Sequence, residues 1–138
     1  MINLSTKGRY ATRIMIYIAR QNGAVRKIEI AEAEDLTVDY VEQILIRLKA
    51  AGLVTSRRGA NGGFSLARPA DRITVADVLA ATEGSTELAP CLSGDCPRMS
   101  FCPTRPLWDR VSRTIKEAFT EATIAGLANG PEPLNYDI

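Results

Sequence analysis

Residues 36–63 read LTVDYVEQILIRLKAAGLVTSRRGANGG, and this stretch decides the fold. Val38, Val41, Ile44, Leu45 and Leu48 recur at three- and four-residue spacing, which puts them on one face of a helix. Asp39, Glu42, Gln43, Arg47 and Lys49 fall on the other face. Thr37 is the expected N-cap and Gly52 the expected stop. Beyond the stop, Leu53 to Ser56 and Phe64 to Ala67 read as two short strands joined by Arg57-Arg58-Gly59-Ala60-Asn61-Gly62-Gly63. Asn-Gly-Gly is hairpin chemistry, because these residues tolerate positive φ. A polar-faced helix followed by a hairpin with two arginines at its neck is the plan of a winged helix-turn-helix. In that plan the helix enters a major groove and the hairpin reaches the backbone or minor groove. The same pattern also fits an ordinary α+β domain with solvated arginines, so the remainder of the chain has to decide.

Working outward toward the N-terminus, Arg26 to Glu34 reads as a short helix with Ile28 and Ala31 facing inward. Asp35-Leu36 leaves room only for a tight turn into the next helix, which makes a helix-turn-helix or a plain helical hairpin. Before it, Ser5 or Thr6 caps a helix to about Arg20 with Ala11, Ile14, Met15 and Ile18 buried. Lys7 and Arg9 lie in its first turn, where the helix dipole disfavours cations, so they are candidate phosphate contacts. Toward the C-terminus, Thr74 and Asp77 form a capping box, with Ile73 and Val78 placed as a hydrophobic staple, for a helix ending at Glu83-Gly84. A last helix begins near Thr104 or Arg105. There Trp108, Val111, Ile115, Ala118, Ala122 and Ala125 step by three and four as a heptad seam, the expected dimer interface.

The expected fold is therefore mainly α with a small β-hairpin wing. Residues 1–83 make a winged helix-turn-helix, 84–103 a cysteine loop, 104–130 a long dimerisation helix and 131–138 a mobile tail. The 138 residues hold 46% hydrophobic side chains, enough for one core. No apolar run approaches the ~20 residues of a membrane span. Lys7, Arg9 and Arg13 interrupt any signal-peptide pattern, so a cytoplasmic protein is expected. There is no histidine, which removes histidine acid–base catalysis and histidine metal ligation. The net charge of +1 conceals an asymmetry. Residues 1–72 carry 12 Lys/Arg against 7 Asp/Glu, and residues 73–138 carry 5 against 9. The basic half is the half with the helix and hairpin, as double-stranded DNA requires. The candidate DNA contacts are Lys7, Arg9, Thr37, Asp39, Tyr40, Glu42, Gln43, Arg47, Arg57, Arg58, Gly59 and Asn61.

All three cysteines, Cys91, Cys96 and Cys102, fall between Ser85 and Pro103 at C-x4-C-x5-C spacing. In a cytoplasmic chain such a set points to a metal, a cluster or redox chemistry more than to disulfides. Neither gap is the C-x2-C of zinc knuckles, but three thiolates on one loop can converge on a soft centre such as an iron–sulfur cluster.

These residues, taken together, resemble the Rrf2 family of bacterial winged-helix transcription regulators, in particular its iron–sulfur sensors. The likeness runs through Ser5-Thr6-Lys7-Gly8-Arg9-Tyr10-Ala11, Tyr40-Val41-Glu42-Gln43-Ile44 with Arg47-Leu48, Gly52-Leu53-Val54, Arg58-Gly59, Gly62-Gly63-Phe64, Leu66, Ile73 to Val78 and Leu107-Trp108. It implies a homodimer on a partly palindromic operator, no enzymatic activity, and an iron–sulfur cluster of two-iron or four-iron form held by Cys91, Cys96 and Cys102. The chain departs from the family pattern in two places. Its first cysteine gap is one residue short. Arg105 stands where some members carry a ligand histidine, and Lys7-Gly8-Arg9 where others carry a ligand aspartate, so the fourth ligand is open. A regulator of the same fold that senses thiol oxidation or a partner protein, and an iron–sulfur carrier or assembly protein, are the alternatives.

Overall fold

The computed structural model describes residues 3–84 and 87–130; the tail expected over 131–138 lies outside the described residues. These form six α-helices and one antiparallel hairpin. α1 spans Thr6–Ala19, α2 Lys27–Glu34 and α3 Val38–Ala50. Strands β1 (Val54–Arg57) and β2 (Gly63–Leu66) pair from Val54↔Leu66 to Arg57↔Gly63. α4 (Val75–Glu83), α5 (Arg105–Glu121) and α6 (Ile124–Ala128) follow, with a 3₁₀ turn before α4 and another at Pro90–Leu92. This is the winged helix expected from the sequence.

The helix ends are made by the residues whose chemistry suits them. Ser5 Oγ accepts from Gly8 N at 3.0 Å, and Thr37 Oγ1 accepts from Tyr40 N at 3.2 Å. The capping box of α4 is present in both directions, Asp77 N to Thr74 Oγ1 at 3.1 Å and Thr74 N to Asp77 Oδ2 at 2.9 Å. The turn between α2 and α3 is closed by Asp35 in the left-handed region, φ 54°. The core gathers Ile14 and Met15 of α1, Ile30 of α2, Val41, Ile44, Leu45 and Leu48 of α3, Leu53, Ile73, Val78 and Ile124, all at most 2% exposed.

Three features differ from the sequence expectation. In α2 the inward residues are Ile30 and Ala31, while Ile28 stays 49% exposed. The hairpin has a third partner: Val25 exchanges backbone hydrogen bonds with Phe64 at 2.9 and 2.7 Å. Gly63, with φ +141°, sits against that segment, and a Cβ there would meet the Val25 carbonyl oxygen at 2.6 Å. Finally, the helix expected to run through Ala122 and Ala125 breaks after Glu121. Ala122 is extended, its carbonyl accepts from Val75 N at 2.8 Å, and Ile124 N donates to Ile73 O at 2.8 Å. The chain then turns back as α6, which packs on α1 and buries Ile124 completely.

Candidate nucleic-acid interface and cysteine loop

α3 presents Asp39, Glu42, Gln43 and Arg47 to solvent, while its opposite face is locked into the core. Thr37 is committed to the helix cap. Tyr40 is half-buried and meets Tyr10 edge-on, ring centroids 6.1 Å apart, while the Arg13 guanidinium lies 5.0 Å over the Tyr10 ring. Tyr40 therefore fixes α3 against α1. Ile46, which the amphipathic reading did not single out, stands 63% exposed on the polar face. The signal for it was its place outside the buried stripe of Ile44, Leu45 and Leu48. Lys49 Nζ donates to Ser56 Oγ at 2.6 Å and ties the end of α3 to the hairpin.

In the hairpin, Arg57 closes β1, and the tip turns through Gly59 (φ +109°) with Gly62 N bonded to Gly59 O at 3.0 Å. Arg57, Arg58 and Asn61 are exposed around it. The tip end of the hairpin, the start of α2 and the first turns of α3 line one cleft of about 470 Å³, with Arg26, Lys27, Ile28, Val38, Glu42, Arg57 and Phe64 in its walls. Glu42 of α3 and Arg57 of the hairpin thus border one cleft.

Lys7 is half-buried and Arg9 exposed at the start of α1. The electrostatic cost expected there is offset within the chain. Glu83, at the end of α4, accepts from Ser5 N at 3.0 Å and from Ser5 Oγ at 2.5 Å. Its carboxylate supplies the negative charge that the first turn of α1 lacks. Gly8 makes this approach possible, since a Cβ there would lie 2.2 Å from Glu83 Oε1.

Cys91, Cys96 and Cys102 are free thiols, each half-buried. The structure does not draw them together: among the described residues no group of three or more cysteines and carboxylates is placed to hold a metal ion. Arg105, at the position of the histidine ligand in the family pattern, donates instead to the Cys91 carbonyl at 2.8 Å and pins the loop to the start of α5. Cys102 lies 3.3 Å from Thr104 Oγ1. That hydrogen bond, with the backbone N–H groups of Thr104 and Arg105 and the charge of Arg98, holds its thiol below the ordinary value of 9.0 and favours thiolate.

Glu87 anchors the loop to the middle of α5 by accepting from Ser112 Oγ at 3.1 Å and from the Lys116 ammonium. The hydrogen bond from Lys116 is the main reason its carboxyl titrates below 4.5. A carboxyl lowered by folding stabilises above its unfolded pKa, and this is lost as pH falls through the folded value. Acidification below about 4.5 is therefore expected to loosen α5, seen as faster hydrogen exchange of its amides, and Glu87→Gln should abolish that acid step. α5 buries only Ser112. Trp108 is 38% exposed, Leu107 51%, Val111 and Ile115 are half-buried and Ala118 is exposed, so the described residues cover the seam only in part. Ala122, expected on the seam, belongs to the extended break instead.

A family model described as an iron-dependent transcriptional regulator, Rrf2, matches residues 4–130. The chain belongs to the Rrf2 family. The HTH-type transcriptional regulator IscR of Erwinia tasmaniensis is 35% identical over 136 residues, covering 96% of this chain and 82% of the relative. CymR, the global cysteine regulator of B. subtilis, superposes with a TM-score of 0.81 at 35% identity, over 96% of this chain and 100% of that one. The oxidized form of Staphylococcus aureus CymR gives 0.73 at 31%, over 95% and 99%. This Rrf2 protein is a DNA-binding transcription regulator and not an enzyme. No helix among its described residues is long and apolar enough to cross a membrane.

Proposed function

We propose that the chain acts in the cytoplasm as a homodimeric repressor whose grip on a DNA operator is set by the state of its three cysteines. The observation that carries this is the shared cleft, which sets Glu42 on the polar face of α3 and Arg57 of the hairpin around one opening. α3 then enters the major groove, Glu42 and Gln43 meet base edges, and Ile46 suits a thymine methyl. Arg47 and the hairpin arginines meet phosphate or the minor groove. For the hairpin the expected result is specific. Arg58→Ala lowers the magnitude of the slope of log K against log salt by about 0.9, and by twice that in a symmetric dimer. Titration of binding at several salt concentrations checks this, and an unchanged slope removes Arg58 from the interface.

The donor set fits an iron–sulfur cluster in kind: three cysteine sulfurs, the Cys102 thiol drawn below its ordinary value, with no competing disulfide. Cys91, Cys96 and Cys102 would hold it, and the fourth ligand would not be cysteine. Glu87 is an unsuitable donor, being held by Lys116 and Ser112. Such a cluster supplies iron that responds to oxidants or to iron supply. The chain's own part is to keep the loop pinned by Arg105 and Glu87 to α5, so that a change in the loop reaches the dimer helix. A second reading, thiol oxidation without a cluster, is favoured by the lowered pKa of Cys102, which the hydrogen bond with Thr104 causes.

The deciding experiment is anaerobic purification, followed by the visible spectrum, iron content and operator affinity of the wild type and of Cys91→Ser, Cys96→Ser and Cys102→Ser. The cluster reading expects iron and a charge-transfer spectrum in the wild type, loss of both in each variant, and altered operator affinity. A colourless wild type whose DNA binding responds to peroxide establishes the thiol reading. Full clusters in all three variants, or cluster loss with unchanged binding, overturns cluster control.

A further inference from the structure

Lys27 opens α2, at the helix end whose unpaired N–H groups disfavour a cation. Its ammonium lies 3.5 Å from Glu42 Oε1 on α3. Among the described residues this is the one ion pair that joins α2 to α3. The two side chains are 44% and 49% exposed, so as a stabilising device the pair contributes little. Both residues line the cleft between α3 and the hairpin, together with Arg57 and Phe64. The carboxylate expected to read a base is thus already held by a cation from a different helix.

Resting on the assignment of α3 as the base-reading helix, we propose that Lys27 is a positioning residue that sets the base preference of Glu42. A free glutamate samples many rotamers and loses that freedom on binding; one already held by an ammonium loses less. An ionised carboxylate has about four lone-pair sites on two oxygens, so the pair with Lys27 leaves acceptors for the N4 amine of cytosine. The ammonium also offsets the repulsion between Glu42 and the phosphates on either side of the groove. Lys27 therefore makes a negatively charged reader tolerable in DNA and fixes the direction in which it accepts.

The test is selection from a randomised double-stranded DNA library by the full-length protein, then affinities for operators varied base by base. The proteins compared are wild type, Lys27→Ala, Lys27→Arg, Glu42→Ala and the Lys27→Ala/Glu42→Ala double variant. Lys27→Ala is expected to flatten preference at the operator position that Glu42→Ala flattens, by roughly two- to fivefold, the range of an exposed ion pair. Lys27→Arg restores it, and Lys27→Ala has no further effect on that preference once Glu42 is gone. A uniform loss of affinity over all sequences, with a smaller salt slope, makes Lys27 a phosphate contact and overturns the proposal. So does an unchanged preference in Lys27→Ala when Glu42→Ala alters it; the reading role of Glu42 then stands alone. If Glu42→Ala itself leaves every preference intact, the base-reading assignment falls and takes this inference with it.

Discussion

Ile115→Asp is expected to convert a dimer into monomers and to lower affinity for a two-half-site operator by roughly 10²–10⁴-fold, the gain that linking two binding modules confers. Ile115 shares a stripe of α5 with Trp108 and Val111, and its own chain leaves that stripe partly open. The only α5 side chain fully enclosed by the chain is Ser112, turned toward Glu87. A carboxylate in the middle of an apolar dimer contact has no partner there and resists desolvation. The substitution sits at a half-buried position, so the monomer should still fold. Sedimentation gives the oligomeric state, and electrophoretic shift against the full operator gives the affinity. A variant that stays dimeric removes this stripe from the interface.

Ile124→Ala is expected to cost about 2–5 kcal/mol of folding stability, the range for emptying a fully buried aliphatic site. Ile124 is 0% exposed, packs with the α1 core and lies where its backbone bonds Ile73 O. Denaturant unfolding followed by circular dichroism measures it, and the midpoint should fall without a change in slope. A loss under about 0.5 kcal/mol, typical of a surface position, would mean that α6 does not close the core.

That second prediction could not have been made from the sequence, and the reason is physical. Between Glu121 and Ile124 the chain is Glu-Ala-Thr-Ile, with no proline or glycine to stop a helix. The three-four stepping of Trp108, Val111, Ile115 and Ala118 continues without a fault into Ala122 and Ala125. What ends α5 is distant: Val75 N and Ile73 O take the backbone of Ala122 and Ile124 into a short pairing. Thr123 then caps α6 by accepting from Gly126 N at 3.0 Å, the one local clue. The inward face of α2 is ambiguous in the sequence for a related reason. Its eight residues, KIEIAEAE, alternate rather than follow a helical period, so Ile28 and Ile30 compete and packing chooses Ile30. By contrast the stripe of α3, the Thr37 cap and the Thr74–Asp77 box depend on neighbours a few residues away, and there local pattern and structure agree.

The candidate interface divides along the same line. Exposure of Glu42, Gln43, Arg47, Arg57 and Arg58 follows from helix phase and hairpin chemistry. The pairing of Glu42 with Lys27 and the engagement of Tyr40 with Tyr10 bring together residues on different helices, which no spacing announces. For the cysteines, residue type spoke to the chemistry, while placement along an irregular loop did not follow from a C-x4-C-x5-C count.

The break at Ala122 has a mechanical consequence. α5 is hinged at its far end, where the backbone pairing with Ile73 and Val75 welds it to the winged domain. Its near end, beside Cys102, is tethered by the Arg105 bond to Cys91, with the Glu87 anchor farther along. Seventeen residues at 1.5 Å each make a lever about 25 Å long, fixed at one end by backbone pairing and at the other by a single side-chain bond. A shift of ~3 Å at the cysteine end turns it through roughly 7°, and in the proposed symmetric dimer the two levers would turn together. Under the proposed function, a small chemical event at a thiol would in this way be geared into a change of separation between the two copies of α3.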